Sequence, residues 1–234
     1  MIKSIFNMTF LTHCNDFYHV LFLPLQLVLH QDNMQKKKCS VIVLAGGKSE
    51  RMKFPKAYLD MMGELFIEKI IRVYFEAGIS DIIVVMNEQF CSGKWAKYFA
   101  KISSNIILVK NNQPELERFN SLKLGIQKME HRNDCFIQPV DNPFIDVNIL
   151  ETLWNNKLID GFVSPVFNGK GGHPVLLSNK IIKEINAIEE NDKILKDVLN
   201  SFRRIEVEME NDHVLRNINT QEDYYNLVSD KIIL

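Results

Sequence analysis

Apolar positions recur along the chain in two alternating periods. Cys39–Leu44 (CSVIVL) and Ile82–Met86 (IIVVM) are continuous runs rich in β-branched residues, the pattern of strands buried on both faces. Between them, Phe66, Ile67, Ile70, Ile71, Tyr74 and Phe75 fall on one stripe. That spacing predicts a helix over Glu64–Ala77, closed by Gly78 in a C-cap position. The pattern then predicts a short helix at Trp95–Lys101, a strand at Asn105–Val109 and an amphipathic helix at Glu115–Met129, with Leu116, Phe119, Leu122, Ile126 and Met129 on one face. A fourth strand, Cys135–Pro139, leads into Asp141. A helix at Val147–Asn155 follows, then strands at Gly161–Val166 and Pro174–Leu177 and helices at Lys180–Ile188 and Asp192–Asn200. A strand at Arg203–Val207 and a helix at Gln221–Val228 complete the series. Such βα alternation implies an α/β fold, a mostly parallel sheet with helices on both faces. Ligands of such sheets sit beyond the carboxyl ends of the strands, which directs attention to the loops after Leu44, Pro139 and Val166.

The N-terminal stretch departs from this pattern. His19–Leu29 is apolar but is interrupted by Pro24 and Gln26, and a membrane span needs about 20 apolar residues. A signal peptide is disfavoured too, because Lys3 is the sole basic residue before the apolar stretch and no small-x-small site follows Leu29. Met34, with Lys36, Lys37 and Lys38 leading into the first strand, has the form of a natural start. Residues 1–33 are therefore expected to be a non-native or disordered extension, and 34–234 a single domain. No repeat or linker-like stretch divides the chain after residue 39.

Composition narrows the function classes. The 28 Lys+Arg against 29 Asp+Glu, with 46% hydrophobic residues, exclude a disordered chain and offer no whole-chain charge for nucleic acid or membrane. Four cysteines without CxxC spacing and six histidines without HxxxH spacing argue against a structural metal or a disulfide scaffold. Reduced thiols in a cytoplasmic protein are expected.

The chemistry concentrates in the loop after the first strand, Leu44-Ala45-Gly46-Gly47-Lys48-Ser49-Glu50-Arg51-Met52-Lys53-Phe54-Pro55-Lys56. Its glycines let backbone N–H groups approach phosphates closely. Lys48, Arg51 and Lys56 can surround a polyphosphate. The spacing is neither that of a P-loop nor that of a dinucleotide-binding turn. A solvated glycine turn with surface lysines is the plain alternative.

The loop, Leu44-Ala45-Gly46-Gly47-x-Ser49-x-Arg51-Met52 with Pro55-Lys56-Ala57-x-Leu59, resembles the signature of the nucleotidyltransferases with a three-layer Rossmann-like (GT-A-type) fold. The branch it resembles includes the molybdenum cofactor cytidylyltransferases and guanylyltransferases. Asn120-Ser121-Leu122-x-x-Gly125, Asp141-Asn142-Pro143-Phe144, Gly172-His173-Pro174-Val175-Leu176-Leu177 and Asn217-Ile218-Asn219-Thr220-x-Glu222-Asp223-Tyr224 follow in the family's order. Lys53 stands where the family usually has Gly, and Phe54 extends the loop. Ala-Gly-Gly matches the guanylyl branch, whereas Gly-His-Pro matches the cytidylyl branch.

The resemblance implies a Mg²⁺-dependent transfer of a nucleoside monophosphate from CTP or GTP to a phosphorylated small-molecule acceptor, with pyrophosphate leaving. It implies nucleotide contacts from Leu44, Ala45, Gly46, Gly47, Lys48, Ser49 and Ser121, and catalytic roles for Arg51 and Lys56. Asp141 and Asn219 would bind metal, and Gly172 and His173 would meet the acceptor. Each has a simpler reading. Asp141 fits a turn before Asn142-Pro143, and Thr220 with Asp223 is close to a helix capping box. Ser121 could merely pack, and the Gly171-Gly172 turn would leave His173 exposed. Glu115 and Glu117 read as a solvated first helical turn, and Trp95 and Trp154 as packing residues. A sugar- or polyol-phosphate nucleotidylyltransferase and a non-catalytic nucleotide-binding module remain as alternatives. No nucleic-acid or membrane partner is expected, and the assembly is expected to be a monomer or small homo-oligomer.

Overall fold

A computed structural model describes residues 39–102, 106–130, 133–190 and 193–229. The expectations for residues 1–33, for Met34 as the start and for the Lys36–Lys38 lead lie outside the described residues.

The strands are β1 (Cys39–Ala45), β2 (Asp60–Met61), β3 (Glu64–Leu65), β4 (Asp81–Asn87), β5 (Ile107–Asn111), β6 (Asp134–Pro139), β7 (Gly161–Phe167), β8 (Lys170–Gly171), β9 (Val175–Leu177) and β10 (Arg203–Glu208). The helices are α1 (Phe66–Glu76), α2 (Ala96–Ile102), α3 (Glu117–Lys128), α4 (Val147–Asn155), α5 (Asn179–Ala187), α6 (Leu195–Leu199) and α7 (Gln221–Ser229). The main sheet runs β10-β7-β9-β6-β1-β4-β5, with β8 paired to β7. β1 pairs in parallel with β4 and β6, β4 with β5, and β10 with β7, while β9 runs antiparallel between β6 and β7. A mostly parallel α/β sheet is thus observed, as the alternation requires.

Successive residues of β1 face opposite cores. Val41, Val43 and Ala45 join Ile67, Ile70, Val73 and Tyr74 of α1 and Ile149, Leu150 and Leu153 of α4. Ile42 joins Phe119, Leu122 and Ile126 of α3 and Ile181, Ile182 and Ile185 of α5. Each such Val, Ile or Leu contributes about 1.5–3 kcal/mol when fully buried, so a strand buried on both faces reads as a near-continuous apolar run. Cys39, Cys91 and Cys135 are buried free thiols, and burial raises the pKa of each. Among the described residues, no helix is long and apolar enough to cross a membrane.

Three expectations shift. The helix expected from Glu64 starts at Phe66, because Glu64 and Leu65 pair with Asp60 and Met61 in a hairpin. Met62 and Gly63 form its turn, with φ of 64° and 88°, the left-handed pair that tight hairpins require. The helix expected at 115–129 opens with a 3₁₀ turn at Pro114–Leu116. The helix expected at 192–200 is confined to Leu195–Leu199. Gly78 follows α1 with φ of 79°, the left-handed C-cap geometry.

A third, smaller core lies under the loop after β1. Met52, Leu59, Met61, Phe66, Phe144, Ile218 and Leu227 pack together there. It binds that loop to the start of α1 and to α7, and Gln221 Nε2 also donates to the Met52 carbonyl at 3.3 Å.

Candidate functional site

β1 and β6 are neighbours in the sheet, so their following loops emerge side by side. The Val140 N–H donates to the Leu44 carbonyl at 3.1 Å, which holds the two exits together. Leu44 and Ala45 therefore end β1 beside the start of the Asp141 turn. Beyond them the chain reverses tightly: Ser49 and Lys53 have φ of 54° and 55°, and the Lys53 N–H donates to the Ser49 carbonyl at 2.9 Å. The Ser49 hydroxyl accepts from the Lys56 N–H at 3.3 Å. Met52 anchors this loop, being only 2% exposed.

Lys56 reaches the two loops that sequence separation hides. Its Nζ lies 3.1 Å from Asp141 Oδ2 and 2.6 Å from Asn219 Oδ1. The lysine side chain is 15% exposed and that of Asp141 7%, so water screens the pair little. Arg118, from the first turn of α3, adds a guanidinium 3.5 Å from the same Asp141 oxygen. Asn219 is held beside Asp141 by the backbone, because the Ile218 N–H donates to the Asp141 carbonyl at 2.8 Å. Asp223 Oδ2 accepts from the N–H groups of both Asn219 and Thr220 at 2.8 Å, and its own N–H donates to Thr220 Oγ1 at 3.1 Å. The capping reading of Thr220 is thus observed, and the same cap leaves the Asn219 side chain turned to Lys56. These N–H donors, Asn219's first, pull the Asp223 carboxyl below its ordinary value.

Side-chain hydrogen bonds tie down the turn carrying Asp141. Gln138 Nε2 donates to the carbonyls of Pro139 and Asn142 at 2.8 and 2.9 Å, and Asn142 Nδ2 donates to Val214 at 3.0 Å. The Asp141 carboxylate is directed to Lys56 and Arg118.

Gly46 sits against α3. A Cβ there would meet Ser121 Oγ at 2.6 Å and Asn111 Nδ2 at 3.1 Å, whereas one on Gly47 would meet nothing within 4 Å. Ser121 is 4% exposed and its hydroxyl accepts from Asn111 Nδ2 at 3.0 Å. The pair forms a polar floor beneath the glycine loop. Asn87, ending β4 beside Asn111, is 2% exposed and leaves its Nδ2 without a partner.

The structure does not gather every expected residue. Among the described residues, no hydrogen bond or ion pair joins Lys48 or Arg51 to the Lys56 cluster. Lys48 lies 4.0 Å from Glu50, and Arg51 is exposed. A cleft of about 500 Å³ opens on that side of the loop, lined by Lys48, Lys53, Lys94, Phe54 and Trp95. Trp95 packs edge-on to Phe54 at 5.0 Å and Trp154 is 2% exposed, so both are packing residues.

His173 corrects an expectation. The Gly171-Gly172 turn leaves it largely buried, not exposed. Its N–H donates to the Val214 carbonyl at 2.9 Å, and a Cβ on Gly172 would collide with that same carbonyl group. Desolvation pushes the imidazole pKa down to about 4, against the attraction of Asp141. The ring is therefore neutral near pH 7, with a buried Nδ1 that lacks a partner. It can exchange a hydrogen bond but cannot offer a positive charge.

Arg118, Asn111 and Asn87 were missed from the sequence. The signals existed: an asparagine ends each of two apolar strands at their carboxyl edge. A cation in the first turn of a helix also opposes the dipole, which suggests that it serves something other than the helix.

A glycine-rich cationic loop lies at the carboxyl edge of a mostly parallel sheet covered on both faces, beside a buried carboxylate, where ligands of α/β proteins bind. The chain belongs to the MobA-like NTP transferase domain family, which it matches over residues 41–207. It is 27% identical to the molybdenum cofactor cytidylyltransferase of Escherichia coli over 122 residues, which span 52% of this chain and 62% of that protein. It is 28% identical to a probable molybdenum cofactor guanylyltransferase of Clostridium perfringens over 209 residues, covering 84% of this chain and 99% of that one. A solved nucleotidyl transferase from Methanothermobacter thermautotroptrophicus superposes with a TM-score of 0.67 at 18% identity, covering 83% of this chain and 97% of that one. The resemblance read from the motifs and the fold class both stand.

Proposed function

We propose that this chain transfers a nucleoside monophosphate from CTP or GTP to a phosphorylated small-molecule acceptor, with molybdenum cofactor the acceptor its relatives' names favour. The observation that carries this reading is Lys56, which reaches from the signature loop to side chains 85 and 163 residues away. An acceptor phosphate oxygen attacks the α-phosphorus, the bond to the bridging oxygen of the β-phosphate breaks, and pyrophosphate leaves. Positioning and charge neutralisation supply the rate. The backbone of Gly46, Gly47, Lys48 and Ser49 holds the triphosphate above Leu44 and Ala45. Arg51 neutralises the departing pyrophosphate, and Lys56 stabilises charge at the α-phosphate. Ser121 and Asn111 face the nucleoside, while Gly172 and neutral His173 border the acceptor.

The donor set suits Mg²⁺. Asp141 and Asn219 present hard oxygens that already converge on one cationic atom, the Lys56 nitrogen. Among the described residues no group of three or more His, Cys, Asp or Glu could hold a metal, and Mg²⁺ needs only one or two protein ligands beside phosphate and water. When bound, it neutralises phosphate charge and orients the triphosphate. On this reading residues 34–234 work as one cytoplasmic domain, a monomer or small homo-oligomer, acting on small molecules without nucleic acid.

A thermal-shift screen of the four nucleoside triphosphates with Mg²⁺ tests the reading, since a ligand of the folded state raises the melting temperature. CTP or GTP alone should shift it, and the same nucleotide should support pyrophosphate release. A shift without pyrophosphate release would point to the non-catalytic nucleotide-binding module instead, and no shift with any triphosphate would refute the reading.

A further inference from the structure

The cation standing between Asp141 and Asn219 belongs to the protein. Lys56 Nζ is 2.6 Å from Asn219 Oδ1 and 3.1 Å from Asp141 Oδ2. A magnesium ion held by the same two oxygens would need the space that the ammonium fills. An ammonium and a dication cannot occupy one such gap together, because they repel each other and compete for the same lone pairs.

The geometry separates what is fixed from what can move. Asp141 and Asn219 are tied to one another through the Ile218 N–H and to α7 through Asp223. The Lys56 backbone is fixed too, since it opens a 3₁₀ turn whose Ala57 and Tyr58 are buried. Its four-carbon stem is flexible and partly exposed, so the ammonium can swing away while the chain stays in place. Leaving alone for water would cost it a buried carboxylate and an amide oxygen. Leaving for a phosphate exchanges one anion for another. Arg118, 3.5 Å from Asp141, adds a further positive charge against a lone dication.

We propose that Lys56 is a resident stand-in for the metal, filling the Asp141–Asn219 gap, resisting free metal short of saturation and yielding the gap readily when a triphosphate gives its ammonium a new partner. The substrate is then the metal–triphosphate chelate, not free metal followed by nucleotide. This rests on the assignment of Asp141 and Asn219 as metal ligands under the proposed function.

The test uses the full chain and Mn²⁺ alone, without nucleotide, with bound metal read by electron paramagnetic resonance. Wild type should bind Mn²⁺ weakly, and Lys56→Ala should tighten binding by at least about tenfold, the equivalent of one ion pair of moderate strength. Arg118→Ala is the charge control. It removes a cation from the same carboxylate without vacating the gap, and should tighten binding much less. Unchanged Mn²⁺ affinity in Lys56→Ala, or equal tightening in Arg118→Ala, overturns the proposal.

A measurement on wild type avoids any folding defect of the variant. Saturating Mn²⁺ should raise the rate at which Lys56 is acetylated by acetic anhydride, read by mass spectrometry against exposed Lys180. An unchanged rate at saturation overturns the proposal. Neither measurement needs turnover. An inactive protein whose Lys56→Ala variant still tightens Mn²⁺ would retire the enzymatic reading and keep the stand-in, and an active enzyme without tightening would do the reverse.

Discussion

Gly46→Ala tests whether the glycine loop is built on α3 or merely passes it. The added methyl would lie 2.6 Å from Ser121 Oγ and 3.1 Å from Asn111 Nδ2, closer than van der Waals contact permits. Ser121 can yield only by giving up its hydrogen bond from Asn111, about 0.5–1.5 kcal/mol. Otherwise the loop must rise off the helix, and overpacking of this kind costs about 1–3 kcal/mol. A domain of this size loses about 2–4 °C of melting temperature per kcal/mol, so a drop of several degrees is expected by circular dichroism. Gly47→Ala is the internal control, since its methyl meets nothing within 4 Å and the variant should melt with wild type. The double variant Gly46→Ala/Ser121→Ala should recover part of the loss by clearing the clash. Both single variants should weaken the melting shift given by CTP or GTP, because each methyl stands where phosphates must approach backbone. A Gly46→Ala protein as stable as wild type, or a Gly47→Ala protein equally destabilised, would refute the packing argument.

Other outcomes follow from the same geometry. Lys56→Ala should lower turnover more than triphosphate affinity, because its contact strengthens in the transition state; a rise in KM alone would contradict that role. Asp141→Ala should abolish divalent-metal-dependent pyrophosphate release, and full activity with a normal metal titration would reject the ligand assignment. The neutral burial of His173 predicts a pH effect on unfolding. The unfolded chain protonates this ring below 6.5, while the folded one resists to about pH 4. Stability should therefore fall as pH drops through that window, by up to about 3 kcal/mol at 1.36 kcal/mol per unit. Urea melts of His173→Gln should show a flatter dependence over the same range, and equal slopes would dismiss the burial argument.

Periodicity made most of the scaffold legible. Strands buried on both faces read as near-continuous apolar runs, so β1 and β4 announce themselves. The match of α4 to Val147–Asn155 follows from an apolar stripe that begins immediately after its cap, where Asp146 Oδ1 accepts from the Ile149 N–H at 2.8 Å. The β2–β3 hairpin was hidden because Glu64 and Leu65 continue the helical stripe by eye, and only the left-handed Met62-Gly63 turn removes them from it.

The amino-acid sequence by itself determined the strands and helices of the sheet, the loop to which the phosphate chemistry is assigned in the proposal and the family to which the chain belongs, because these depend on local periods and on residues close in the chain. Tertiary structure decided the rest. Only folding brings Lys56, Asp141, Asn219 and Arg118 to one point, because three separate loops and the start of α3 meet at the carboxyl edge of the sheet. Only tertiary packing decides that the His173 ring is largely desolvated and neutral, since burial is a property of what surrounds a residue and not of its place in the chain.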